Sequence, residues 1–460
     1  MLAPGPSLVL SRISFRFEVR TDLLKQVPAA PVRRGVVGSA APGDPLPVQT
    51  TMNEPDAAKP ESTTPRPFAE LSLGAQQRAT LTLVTGCYRS GTTLLEKLLH
   101  SHPAICIGSQ PFPVSYFFAK QAFLDSRGLR RRYPLGHLFC DAAYTAEELD
   151  AFLESLQICQ SDIDEIFQSL SCYRLGHWTP EVLSFQQELS PGLFPDFYRD
   201  LHERLAALLG GQQALYCGSK EVLCEEFIPF VLARGGKVAL SVRDPRDMIV
   251  SLDYGIRDNQ TGDHRPLLFS LRAWRKSVAI LLACQDVPNF SWVRYEDVAQ
   301  DPQHAVNRLR SSWEVPDANH PLDDSITGQD GRQWSGNSSF DDAVGVSTAS
   351  VGRFHRVLST ETLRYIEACC GPEMQALGYE LTSVEPLSRH DLENYREPFA
   401  NLHAKFPHDY STSPARINQE WRRLQLLQQD QSVMSASDLR YWFVDPRAYQ
   451  PLQNAVNKRG

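Results

Sequence analysis

The chain has 460 residues, 42% of them hydrophobic and 22% charged, enough to bury a sizeable core. No apolar run approaches the roughly 18 residues of a membrane helix, and the densest, residues 278–284, is flanked by Lys276 and Asp286, so no membrane span is expected. A formal net charge of -8 argues against a nucleic-acid partner, because phosphate-tracking surfaces carry a large Lys/Arg excess. Any anion must therefore be gripped locally.

Eleven of the 32 prolines fall in the first 67 residues, among Gly, Ala, Ser and Thr, a composition that cannot build a core. Residues 1–75 are expected to be a disordered tail or an over-long reading of the gene with Met52 as the start. From residue 81 short β-rich runs alternate with helical stretches, the signature of a parallel sheet with crossover helices. Strands are predicted at 81–85, 104–107, 214–217, 237–242 and 290–293, and helices at 92–101, 221–232, 245–254, 267–284 and 302–310. Residues 111–211 read as a helical insertion, with apolar residues at helical spacing over 147–156 and 194–209. The main domain is predicted to span 76–384. Residues 385–460 follow as a polar extension with one amphipathic helix near 416–429, carrying Trp421, Leu424 and Leu427. The ten cysteines are scattered without a C-x-x-C pair, which suggests neither a zinc site nor a disulfide framework. Read as reduced core thiols, they point to a cytoplasmic protein.

The first predicted strand runs into Gly86-Cys87-Tyr88-Arg89-Ser90-Gly91-Thr92-Thr93, followed by a helix with Leu94, Leu95, Leu98 and Leu99 on one face. This is the frame of a P-loop, where backbone N–H groups and the positive end of a helix dipole meet an anion. In the nucleotide-triphosphatase version a lysine occupies the position of Thr92. Here the positive charge sits three residues upstream at Arg89, whose planar fork suits a terminal phosphate or sulfate. A small-molecule kinase on this frame would also need a strand-terminal acid to orient its metal, and the strand over 237–242 ends in Arg243.

Arg89-Ser-Gly-Thr-Thr-Leu-Leu, followed by His102-Pro103, resembles the 5′-phosphosulfate loop of the sulfotransferase superfamily, whose donor is 3′-phosphoadenosine 5′-phosphosulfate (PAPS). Three further segments resemble that family in order. Arg243-Asp-Pro-Arg-Asp with Ser251 is similar to its 3′-phosphate motif, and Arg294-Tyr-Glu-Asp to its R-Y-E-D-L signature. Residues 334–340, followed by Ser350-Val-Gly-Arg-Phe354, look like the late loop that folds over the donor. The resemblance covers roughly residues 80–380. It implies an α/β fold: a P-loop three-layer sandwich with a central parallel sheet, a helical insertion and a helical C-terminal extension.

It also implies the site. Arg89, Ser90, Gly91, Thr92 and Thr93 would hold the 5′-phosphate, Arg243 and Ser251 the 3′-phosphate, and Ser347, Gly352 and Arg353 would belong to the covering loop. From the residues alone, Arg243 at the carboxyl end of a parallel strand lies where open α/β sheets bind ligands, with Asp244 as N-cap and Pro245 opening the helix. Its alternative is an ion pair with Asp244 or Asp247. Lys220, just past another predicted strand, partly matches the family's lysine that contacts the transferring sulfuryl group. In tyrosine-sulfating relatives a glutamate follows the second strand, but this chain reads Gly108-Ser109-Gln110, and glutamine cannot take a proton. Glu221, Asp253 and His264 remain open as general bases. The cluster Arg127, Arg130, Arg131 and Arg132 is either a solvated helix end or an attractor for an acidic acceptor.

The expected function is transfer of the sulfuryl group from PAPS to a hydroxyl or amine, with Arg89 and Lys220 catalytic and no metal required. A P-loop kinase and a non-catalytic PAPS-binding protein are the alternatives.

Overall fold

The computed structural model describes residues 78–128, 144–172, 180–211, 213–255, 264–322, 345–382, 386–399, 406–429 and 434–457, with single positions 326, 334, 336, 340, 402 and 431 between them. The predicted tail over 1–75 and Arg130 to Arg132 lie outside the described residues. In chain order, β1 (Thr80–Thr85), α1 (Thr92–His100), β2 (Ile105–Ser109) and α2 (Pro113–Ser126) come first. The insertion continues with α3 (Ala146–Ser155), α4 (Gln160–Ser171) and α5 (Phe194–Leu208), and a two-stranded ribbon of β3 (Gln157–Ile158) and β4 (Gly192–Leu193) ties it together. Next come β5 (Tyr216–Lys220), α6 (Ile228–Ala233), β6 (Lys237–Val242), α7 (Pro245–Asp253), α8 (Leu267–Cys284) and β7 (Phe290–Arg294). α9 (Tyr295–Gln300), α10 (Pro302–Ser312), α11 (Phe354–Val357) and α12 (Thr360–Ala376) complete the predicted domain.

Five strands pair in the order β2-β5-β1-β6-β7, all parallel, as the alternation of strand and helix predicts. Side chains alternate between the two faces of a strand, and the core divides accordingly. Leu81, Leu83, Val238, Leu240 and Val242 join one buried cluster with residues of α2, α5, α8 and α12. Val84, Ile105, Ile107 and Ala239 join a second with Leu94, Leu95, Leu98 and Leu99 of α1, Val306 and Leu309 of α10, and Trp313 that caps it. Helices thus cover both faces, giving three layers. The register sets Val84 and Ser109 beside Lys220 and Thr85 beside Leu240, which brings the carboxyl ends of β1, β2, β5 and β6 to one edge.

The structure corrects two readings at β5. The strand runs to Lys220 rather than ending at Cys217, and α6 starts only at Ile228, after a 3-10 turn at Glu225–Phe227. Gly218 and Ser219 lie beyond the predicted strand end, yet both are in β5, and a Cβ at Gly218 would collide with the Thr82 backbone oxygen. The glycine is there because two strands approach closely. Beyond Lys220 the chain crosses the phosphate loop instead of coiling: the Glu221 and Leu223 N–H groups donate to the Val84 and Gly86 carbonyls (2.9 and 3.0 Å).

The C-terminal segment also differs from its reading as a polar extension with one helix. It holds α13 (Arg389–Glu393), α14 (Pro414–Leu426), α15 (Ala436–Phe443) and α16 (Tyr449–Asn457). Leu392, Tyr395, Leu426, Phe443, Tyr449 and Leu452 belong to the same buried cluster as α8 and α12. Glu420 of α14 lies buried between Arg272 (2.7 Å) and Arg275 (2.6 Å) of α8, and Arg423 pairs with Glu373 of α12. Charged side chains that look like surface residues in the sequence are here enclosed ion pairs.

Candidate functional site

The phosphate loop closes from residues that tolerate its geometry. Gly86 approaches β6 so closely that a Cβ would overlap the Ser241 carbonyl oxygen. Arg89 and Gly91 adopt left-handed backbone, at φ 60° and 81°. Such a φ suits Gly91 but strains Arg89. Gly91 is the N-cap of α1, and Thr92 and Thr93 form its first turn, both buried. The Ser241 hydroxyl donates to the Ser90 carbonyl (2.5 Å), tying the loop to the neighbouring strand.

The two motifs assigned to different phosphates meet at Arg89. Its Nε donates to Ser251 Oγ (2.9 Å), and its carbonyl accepts from Arg243 Nη1 (3.2 Å). Arg243 is 6% exposed and also donates to the Ser350 carbonyl (2.8 Å), while Trp274 of α8 donates its indole N–H to the Arg243 carbonyl (2.8 Å). Asp244 instead binds the guanidinium of Arg246 and caps α7, accepting the Arg246 N–H (2.9 Å). Ser251, two turns along α7, reaches the loop because α7 runs past it.

Tyr295 is the residue that sequence reasoning missed. It opens α9 directly after β7, and its ring lies where a Cβ on Gly91 would be. The Arg243 guanidinium sits 4.5 Å over the same ring, and the phenol hydroxyl bonds Ser350 Oγ (2.7 Å). One tyrosine therefore touches the phosphate loop, the Arg243 corner and the late loop. Its signal was present in Arg294-Tyr-Glu-Asp, read only as a signature. Glu296 of the same motif accepts the Asp244 N–H (3.0 Å) and the Tyr379 hydroxyl (2.9 Å), holding the start of α7.

In the late loop, the Gly352 N–H donates to Asp247. Arg353 turns back on its own segment, with its guanidinium 4.1 Å over Phe340 and bonds to the Ala349 carbonyl. Ser347 Oγ accepts the Ala349 N–H (3.2 Å), a local turn contact.

On the other side of the loop, Lys220 ends β5 fully buried, with Nζ donating to Gln110 Oε1 (3.2 Å). Burial pulls its pKa below the usual lysine range, against the opposing pull of Glu96 and Glu221. The Glu221 carboxyl, equally buried, accepts the Phe112 N–H (2.8 Å), and burial pushes its pKa up. The other two base candidates come together elsewhere: His264 Nδ1 faces Asp253 Oδ1 at 3.6 Å, and the imidazole stacks on Phe399 at 3.8 Å. Arg127 pairs with Glu148 at the surface (3.3 Å).

No helix among the described residues is long and apolar enough to cross a membrane. Residues 82–182 match the family profile described as "Sulfotransferase family". No curated protein matches the chain. Similar solved structures include the sulfotransferase domain from the curacin biosynthetic pathway, at 16% identity and TM-score 0.37 over 67% of this chain and 100% of that one. The sulfotransferase domain from the Synechococcus PCC 7002 olefin synthase is similar at 18% identity and TM-score 0.34 over 62% and 91%. A sulfotransferase from Mycobacterium avium is similar at 16% identity and TM-score 0.33 over 67% and 79%. The segment similar to the sulfotransferase family profile contains β1, the glycine-bounded loop after it and α1.

Proposed function

We propose that the protein moves the sulfuryl group of PAPS to a hydroxyl or amine acceptor, releasing adenosine 3′,5′-bisphosphate. The observation that carries this reading is the meeting of Ser251 and Arg243 on Arg89, which joins both phosphate motifs into one cationic corner beside the α1 N-terminus. In this reading the N–H groups of Ser90 to Thr93 take the 5′-phosphate and Arg243 with Ser251 the 3′-phosphate. The turn from Ser347 through Gly352 to Arg353 covers the donor. As the acceptor oxygen or nitrogen forms its bond to sulfur, the bond from sulfur to the bridging oxygen breaks, its electron pair stays on the departing 5′-phosphate, and the acceptor's proton leaves to a base or to solvent. Arg89 and Lys220 offset that charge, so positioning and electrostatics supply most of the rate. None of these steps calls on a metal.

Calorimetric titration with adenosine 3′,5′-bisphosphate, followed by incubation with labelled PAPS and a cell extract, tests the proposal. Micromolar binding and a labelled product are expected; absence of binding would overturn it. The hydrogen bond from Lys220 to Gln110, whose amide cannot take a proton, favours a second reading as a non-catalytic donor-binding protein. Tight binding with no transfer from PAPS would select that reading.

A further inference from the structure

The late loop is held down by an acid that the donor reading leaves without a task. α7 opens with Asp244 as N-cap and Pro245 in its first turn, which puts Asp247 in the same turn, 1% exposed. Arg246 directs its guanidinium to Asp244 and Glu367 (2.7 and 2.8 Å). The Asp247 carboxylate turns to the late loop, where Oδ2 accepts the Gly352 N–H (2.6 Å) and Oδ1 the Phe354 N–H (2.9 Å). Both oxygens thus bind main chain more than 100 residues away in sequence. The left-handed backbone of Gly352 (φ 68°) makes the turn that presents these two N–H groups together. The Phe354 ring packs under Arg246 (4.1 Å), so the seat is apolar as well as polar.

We propose that Asp247 is the positioning residue of the donor-covering loop, latching residues 350–354 to the first turn of α7 and so fixing the Ser350 carbonyl on Arg243. This rests on the reading of that loop as the donor cover. Two bonds to one ionised carboxylate are the strong kind, and they fix the chain two and four residues beyond Ser350. The remaining grips on Ser350, from Arg243 to its carbonyl and from Tyr295 to its hydroxyl, come from the donor-site side. Release of Asp247 leaves the Phe354 end of the turn held by the packing of that ring alone. Unlike Arg243, Asp247 acts through the loop.

Backbone hydrogen exchange and the dissociation rate of adenosine 3′,5′-bisphosphate are measured for wild type, Asp247→Asn and Tyr295→Phe. In Asp247→Asn, exchange at Gly352 and Phe354 is expected to speed up about tenfold or more, and bound nucleotide to leave about tenfold faster, with α7 protection and melting temperature near wild type. Tyr295→Phe, which removes only the hydroxyl on Ser350, should speed nucleotide release less and leave Phe354 protected. Unchanged exchange at Gly352 and Phe354 overturns the latch. Loss of protection along all of α7 with a fallen melting temperature overturns it too, in favour of a purely structural acid. Should wild type bind no adenosine 3′,5′-bisphosphate, the donor reading falls and the loop's covering role with it, while the exchange data still decide whether Asp247 holds the turn.

Discussion

At Gly91 two demands coincide: its φ of 81° disfavours a side chain, and the Tyr295 ring occupies the space a Cβ would need. Gly91→Ala should therefore destabilise the protein by about 1–3 kcal/mol, from backbone strain and overpacking, read as a lower denaturant midpoint. Adding Tyr295→Ala should recover the overpacking part but not the strain, so the two effects should fail to add in a double-mutant cycle. Simple additivity would mean that the tyrosine is not what excludes the side chain. Arg89 combines strained backbone with the only cationic side chain in the 86–93 loop. On the proposed mechanism Arg89→Ala lowers kcat for PAPS roughly a hundredfold to a thousandfold, the cost of losing one preorganised donor to developing charge. Arg89→Lys should recover part of this, keeping the charge but losing the fork. Equal turnover in Arg89→Ala and wild type would remove Arg89 from the chemistry.

The end of β5 sets the electrostatics of the other half of the site. Parallel pairing on both sides carries the strand to Lys220 and encloses the ammonium, and burial drives its pKa down. A lysine with a lowered pKa is fully charged below that value and loses its charge as pH rises through it, below the ordinary lysine range near about 10.4. Affinity for adenosine 3′,5′-bisphosphate should accordingly fall on the alkaline side earlier than an exposed lysine would allow. Lys220→Arg keeps its charge throughout and should flatten that limb in titrations at increasing pH. A limb that persists in Lys220→Arg would place its source elsewhere.

Across the molecule, the C-terminal helices brace the site from behind. Glu420 locks α14 onto Arg272 and Arg275 of α8, and between them in sequence Trp274 donates to the carbonyl of Arg243. Burial works against the Glu420 carboxylate, but Arg275 and Arg272 outweigh it and hold the pKa at about 2. A depressed carboxyl pKa contributes stability that is complete above the unfolded value near about 4.3 and is lost as pH falls through about 2. Glu420→Gln removes the buried carboxylate that faces both guanidiniums and should cost about 3–5 kcal/mol at neutral pH. It should also blunt the acid sensitivity of unfolding between about pH 4 and 2, measured by denaturant melts across that range. A change below about 1 kcal/mol would mean that α8 does not depend on α14.

The phosphate loop was legible in the sequence because it is local. One strand, a glycine-bounded turn with Arg89, and one helix are neighbours along the chain, and their hydrophobic periods and glycines follow from backbone sterics. The parallel sheet was legible for the same reason, since strand and helix periods alternate. The contacts of Arg89 with Ser251, Tyr295 with Gly91 and Asp247 with Gly352 join residues 105 to more than 200 positions apart, and no local pattern encodes such pairings. Gly218 fell outside the predicted strand over 214–217 because the close approach that demands a glycine comes from a neighbouring strand. The C-terminal helices looked polar because Glu420 and Arg423 meet their partners only in the folded core. Propensity and periodicity fix which segments become elements and where a glycine-bounded turn meets the start of a helix. Which charges are neutralised and which loop is held down depend on the close packing of distant elements, and only the tertiary structure decides them.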